Sequence, residues 1–110
     1  MIVNQYEIIL VNLEPTLGSE IKKTRPCVVI SPNEMNHYLR TIVIAPITST
    51  LKKYPTRIGM TYDNVKGMIA IDQIRTIDKQ RVIKNIGMLD LDTIKQTKQD
   101  LPESLKNIIP

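Results

Sequence analysis

A chain of 110 residues with net charge +4 is the size of one domain, taken here as residues 1–110, and can bury roughly two-thirds of its unfolded surface without a metal or a disulfide. One cysteine (Cys27) and one histidine (His37) exclude an internal disulfide and argue against a protein-ligated zinc. No apolar run approaches the ~20 residues that cross a bilayer, and Met1-Ile-Val-Asn-Gln5 is no signal peptide, so a cytoplasmic protein without membrane contact is expected.

Tyr6 to Leu13 is apolar with polar interruptions and reads as a strand. Glu14-Pro-Thr-Leu-Gly-Ser-Glu20 is a loop punctuated by Pro and Gly, and Lys22 and Lys23 prolong its polar character. Pro26 to Ile30 fits a buried strand that Ser31-Pro32-Asn33 ends. Glu34 to Tyr38 suits a helical turn, and Thr41 to Ile47 a third strand with Pro46 near its end. Thr48 to Pro55 is a polar, basic loop, and Thr56 to Tyr62 a fourth strand. Asp63-Asn-Val-Lys-Gly67 is a turn signal; Met68 to Ile71, Ile74 to Ile77 and a weaker Val82 to Ile86 read as further strands.

The period then changes. Leu91, Ile94 and Leu101 recur at helical spacing behind Asp90 as N-cap, and Asp100-Leu-Pro-Glu103 resembles a fresh helix start with Leu105, Ile108 and Ile109 on its apolar face. Eighteen Ile against four Tyr, no Phe and no Trp make the core aliphatic and favour pleated structure, because the branched β-carbon restricts χ1. Short strands followed by a terminal helix predict an α+β fold, mainly β: a small, strongly bent sheet or barrel.

The charge is concentrated. Residues 20–60 carry seven bases against Glu20 and Glu34, a local +5 that exceeds the net charge of the chain. Such a surface attracts phosphate, although a merely solubilising face has the same composition. Gly18-Ser-Glu-Ile-Lys-Lys-Thr-Arg-Pro26 sets one acid and three bases between a loop and a buried strand. Arg25, at that junction, suits phosphate oxygens, or pairs with an acid such as Glu20 or Asp72 as scaffold. Thr48-Ser-Thr50 offers hydroxyls to a phosphate or a ribose, or to turns. Asp72-Gln73 is a polar pair among apolar neighbours, placed for a base or for function. Cys27 reads as a small core hydrophobe, and His37 as a surface residue.

Five segments in order carry a resemblance. They are Ile8-Ile-Leu-Val-Asn-Leu-Glu-Pro-Thr-Leu-Gly-Ser-Glu20, Lys23-Thr-Arg-Pro-Cys-Val-Val-Ile-Ser-Pro32, Val43-Ile-Ala-Pro-Ile-Thr-Ser-Thr50, Tyr54-Pro-Thr-Arg57 and Gly67-Met-Ile-Ala-Ile-Asp-Gln-Ile-Arg-Thr-Ile-Asp78. Together they resemble the MazF/PemK family of toxin endoribonucleases along almost the whole chain. The resemblance implies an SH3-like small β-barrel of short antiparallel strands with a C-terminal helix, assembled as a homodimer. It implies sequence-specific cleavage of single-stranded mRNA with no metal or other cofactor, through attack of the ribose 2′-OH. A cognate acidic antitoxin is the implied protein partner, with DNA binding shared with it.

By the same resemblance Arg25 and Thr48 are catalytic, and Glu20 serves as base or, the favoured role, holds Arg25 in place. The proton donor to the leaving 5′-oxygen is either Arg25 or a water. RNA is expected along Ser19, Lys22, Lys23, Ser49, Lys52, Lys53, Arg57, Asp72 and Gln73; Tyr38, Tyr54 and Tyr62 are candidate stacking rings, with packing in the core the default for each. Some relatives use a His in the first loop and an Arg before the Asp-Gln pair; Ser19 and Ala70 stand there, which disfavours that mechanism and leaves Asp72 a structural or positioning role. A toxin of the same fold that binds DNA gyrase is the alternative. The C-terminal aromatic on which it depends is missing from Lys106-Asn-Ile-Ile-Pro110.

Overall fold

The computed structural model of the chain describes residues 2–13 and 24–101. Within them the strands are β1 (Glu7–Asn12), β2 (Thr24–Val29), β3 (Thr41–Thr48), β4 (Arg57–Tyr62), β5 (Val65–Ala70), β6 (Arg75–Asp78) and β7 (Val82–Met88). A short helix α1 (Asn33–Asn36) follows β2, and α2 (Leu91–Asp100) follows β7. All pairings are antiparallel, in the order β4-β5-β3-β2-β1-β7, and β6 also pairs with β3. The sheet curls into a half-barrel with one long helix, the mainly-β architecture predicted from the composition.

β3 holds the curl together. Its first half pairs with β6 and its last two residues with β5 (Ile44↔Arg75, Ile47↔Ile69). Between those pairs the far side has three more residues than β3, and they are extruded as the 3-10 turn Ile71–Gln73. Pro46 lies near the end of β3, two residues before Thr48. It pairs with Cys27 on one side and faces this interruption on the other, where no ladder partner needs its missing N–H.

Alternate residues of the central strands feed two apolar clusters. Ile8, Val28, Ala45 and Ile47 join Ile58, Met60 and Ile69 from β4 and β5, with Leu89 and Leu101 at the two ends of α2. Ile9, Val11, Cys27, Val29, Ile42 and Ile44 pack on the opposite face with Val3, Leu13 and Ile77. Strands buried on both faces explain why continuous runs such as Cys27-Val-Val-Ile30 are apolar rather than alternating. Each buried Ile side chain contributes up to about 1.5–3 kcal/mol by area.

Three local readings are corrected. The Asp63-to-Gly67 turn signal shrinks to Asp63 and Asn64, both at positive φ (47° and 62°); this two-residue turn matches the twist of the flanking strands, and β5 starts at Val65. β2 starts two residues before Pro26, so Arg25 belongs to the strand rather than to its junction. Leu91 is 77 % exposed. Leu89 precedes the Asp90 N-cap and joins the same cluster as Ile94, as in a hydrophobic staple. That contact turns Ile94, buried Thr97 and Leu101 inward and leaves Leu91 outside. The second helix start, with Glu103, Leu105, Ile108 and Ile109, lies outside the described residues.

Candidate active site

Continuing the β2–β3 register two steps beyond Cys27↔Pro46 sets Arg25 opposite Thr48, on the same face of the sheet. Both line a cleft of about 410 Å³. Ser49 and Thr50 prolong its floor, and Tyr62, Val65, Lys66 and Gly67 of the β4–β5 hairpin form its wall. Gly67 sets how closely that wall approaches. A Cβ there would stand 2.7 Å from Ile47 Cγ2 and 3.2 Å from the Thr48 carbonyl oxygen, so a side chain would push the hairpin off the end of β3.

The Thr48 hydroxyl accepts a hydrogen bond from the Thr50 backbone N–H at 3.1 Å. This local turn fixes the oxygen and leaves the hydroxyl proton free to donate into the cleft. Arg25 is exposed, and among the described residues no hydrogen bond or ion pair engages its side chain, so its fork is available to an anion. Two residues along the same strand, burial pushes the Cys27 thiol up to about 12, against the opposing pull of Arg25 and Arg75. Cys27 is accordingly neutral and fully enclosed, as a core residue should be.

That shared electrostatic influence identifies a residue missed in the sequence. Arg75 pairs with Ile44 on β3 and projects to the face carrying Ile44, Cys27 and Arg25. It adds a second guanidinium to that face, opposite Ile44 and four residues along β3 from Thr48, and lines neither recess. The available signal was its place two residues before buried Ile77, on the same face, which marks a strand with one charged end. Lys66 was missed for a different reason, having been read as part of a turn.

A second, larger recess of about 710 Å³ adjoins the cleft through shared Lys66 and Gly67. Lys53, Tyr54 and Arg57 line it, and it runs to Asp90 and Thr93 at the start of α2. Arg57 holds Asp72 bidentately, Nε to Oδ1 at 2.8 Å and Nη2 to Oδ2 at 3.2 Å. The hydrogen bond from Arg57 keeps the Asp72 carboxyl below its ordinary range, and Asp72 in turn raises Arg57. Asp72 is therefore the scaffold partner of Arg57 and not of Arg25.

The structure thus brings Arg25, Thr48 and Ser49 together, with Lys53, Arg57 and Asp72 alongside. Lys52 and Gln73 are exposed and line neither recess. Tyr62 stands in the cleft wall, whereas Tyr38, 85 % exposed, follows α1 at the opposite end of β2. His37 is exposed, with Nε2 2.8 Å from Asn4 Oδ1. Ser19, Glu20, Lys22 and Lys23 lie outside the described residues. Among the described residues no three His, Cys, Asp or Glu side chains converge as a metal site, and no helix is long and apolar enough to cross a membrane.

Comparison with known proteins gives one consistent answer. A family model described as PemK-like, MazF-like toxin of type II toxin–antitoxin system matches residues 4–105. Endoribonuclease EndoA of Bacillus subtilis (strain 168) is 35 % identical over 114 residues, covering 96 % of each chain. The fold is shared with MazF in a MazE–MazF crystal structure from Deinococcus radiodurans (TM-score 0.82, 23 % identity, 96 % of each chain covered). It is shared also with a mycobacterial endoribonuclease in complex with its cognate antitoxin (TM-score 0.77, 20 % identity, 98 % of this chain and 99 % of that one).

Proposed function

This chain belongs to the PemK-like, MazF-like toxin family of type II toxin–antitoxin systems, and we propose that it is an endoribonuclease that cuts single-stranded mRNA at short sequence motifs. The relative named an endoribonuclease supports the activity. The observation that carries the reading is the convergence of an exposed Arg25, its side chain unpaired among the described residues, and an oriented Thr48 hydroxyl on one cleft.

In the proposed reaction the ribose 2′-oxygen attacks the adjacent phosphorus and the P–O5′ bond breaks. The products are a 2′,3′-cyclic phosphate and a 5′-OH end. The 2′-OH proton leaves to a base and the departing 5′-oxygen takes one up. Charge builds on the non-bridging oxygens as the bond order changes, and a guanidinium fixed on a strand is pre-set to meet it. Thr48 donates its hydroxyl proton to the same phosphate. The family resemblance gives Glu20, outside the described residues, the role of holding Arg25, since a carboxylate beside a guanidinium is ionised and a weak base. The substrate supplies the nucleophile, so the chemistry asks for no metal.

Lys53, Lys66 and Arg75 supply positive charge along the path of the strand. A homodimer and a cytoplasmic location belong to the same reading. A cognate antitoxin, acidic and ordered on binding, covers the basic groove and silences the enzyme. The neighbours solved with an antitoxin support that partner.

The test is cleavage of a long single-stranded RNA in EDTA, with cut sites mapped by primer extension. Cleavage is expected with wild-type protein and a loss of at least 100-fold in kcat with Arg25→Ala, the scale set by removing one preorganised donor to a developing oxyanion. Cleavage that stops in EDTA and returns with a divalent ion would overturn the mechanism, and full activity in Arg25→Ala would remove Arg25 from the site.

A further inference from the structure

Tyr54, Arg57 and Asp72 come from a loop, the start of β4 and the 3-10 turn, and they form one built unit. The Arg57 guanidinium lies 5.6 Å over the Tyr54 ring centroid, within cation–π range, while its edge is bidentate to Asp72. The backbone fixes the same arrangement. Arg57 N–H donates to the Tyr54 carbonyl at 3.0 Å, closing the turn Tyr54-Pro-Thr-Arg57 in which Pro55 has its φ pre-set. Ile71 N–H donates to the Thr56 carbonyl at 3.0 Å, tying that turn to the segment that carries Asp72.

This bracing does not serve the core. Tyr54 is 50 % exposed and belongs to neither apolar cluster, and neighbouring Leu51 is 56 % exposed. Arg57 is also poorly suited to a phosphate, because its Nε–Nη2 edge and its charge are committed to Asp72. What remains open is the ring surface of Tyr54 that Arg57 does not cover. Tyr54 lines a recess shared with Lys53 and Lys66 and continuous with the Arg25–Thr48 cleft. A rigid ring flanked by cations is the arrangement that binds single-stranded nucleic acid, with cations following the backbone and the ring taking a base. Pre-fixing the ring removes most of the ordering cost of that contact.

We propose that Tyr54 is a stacking platform for an unpaired RNA base next to the scissile phosphate, with Arg57 and Asp72 as positioning residues that hold the ring. The subsite rests on the ribonuclease reading above and adds a determinant of which RNA positions the enzyme senses.

The test uses a single-stranded oligoribonucleotide carrying one mapped cut site. Tyr54→Ala raises KM roughly 5- to 100-fold, the scale of one lost base stack, with kcat within about twofold. Tyr54→Phe, which keeps the ring, restores most of the loss, and Asp72→Asn gives a smaller rise in KM with kcat kept. An abasic nucleotide scanned through the oligonucleotide reproduces the Tyr54→Ala loss at one position, where the two changes together cost no more than either alone. Because the chain has no Trp, Tyr54→Trp in the Arg25→Ala background is a unique fluorophore. The uncut oligonucleotide should quench it.

Unchanged KM in Tyr54→Ala overturns the subsite, as does a Tyr54→Phe variant as impaired as Tyr54→Ala. Loss of binding to an acidic antitoxin peptide with RNA KM unchanged would reassign Tyr54 to partner docking. If wild-type protein cuts no RNA, the ribonuclease reading falls and the subsite with it; cleavage with a KM indifferent to Tyr54 removes the subsite alone.

Discussion

Arg25 and Cys27 share one face of β2, two residues apart, and their chemistry diverges with burial. Arg25 is exposed and unpaired among the described residues, while Cys27 is fully enclosed with its thiol pushed up to about 12. The thiolate is the reactive form, so native protein at pH 8 should resist iodoacetamide for hours and react at once in 6 M guanidinium. Rapid labelling of the folded protein would refute the enclosed site. At this scale the sequence was informative about residue type and poor about pairing. Arg25 and Thr48 stand out as an Arg and a hydroxyl at the ends of two apolar runs. That Asp72 belongs to Arg57, fifteen positions away, depends on an extruded turn that no local pattern announces.

Among the elements, the β4–β5 hairpin and the end of β3 act as one part. The clash that a Cβ at Gly67 would make with Ile47 and the Thr48 carbonyl predicts that Gly67→Ala costs about 1–3 kcal/mol, the usual scale of overpacking. Cleavage should fall further than stability explains, because the carbonyl that must move belongs to Thr48. Urea melts alongside kcat would show this; a variant stable and fully active would mean the hairpin yields freely. α2 offers a second check. The Asp90 carboxylate accepts the Thr93 N–H at 2.7 Å, so Asp90→Ala should lower Tm by a few degrees, whereas Leu91→Ala, on an exposed position, should leave it nearly unchanged. The helix and its cap were legible from Asp90 onward. Its buried face was not, because the staple between Leu89 and Ile94 decides the rotation, and Leu89 lies outside the repeating pattern.

For the molecule as a whole, the legible part was the aliphatic core. Runs of Ile and Val with few aromatics favour a small sheet buried on both faces, and two clusters of that kind are found. Ile44→Ala, in the middle of β3, should cost about 2–5 kcal/mol by denaturant unfolding. The curl itself was less legible, since it depends on β3 changing partners between β6 and β5. Acid stability follows from the carboxylates. The Arg57 hydrogen bond depresses the folded value of Asp72 and the Thr93 contacts depress that of Asp90. Each contribution is complete above the ordinary carboxylate value, about pH 4, and is lost as pH falls through the depressed one. Wild type should therefore keep a constant Tm advantage over Asp72→Asn from pH 7 to 5 and lose it toward pH 3. An advantage that does not diminish at all as pH falls below about 4 would place the stabilisation elsewhere.

The pairing of β1 with β7 brings Glu7 beside Met88 and has a consequence for how the protein is made. β1 is the strand on which β2, and hence Arg25, is laid, yet one of its edges stays unsatisfied until the last strand has left the ribosome. A nascent chain that already contains Arg25 and Thr48 thus lacks the strand that covers this edge of the sheet. A stop codon just before β7 should therefore leave a chain with a bare β1 edge that pairs with other copies, and more aggregation than the full-length chain by light scattering would show it.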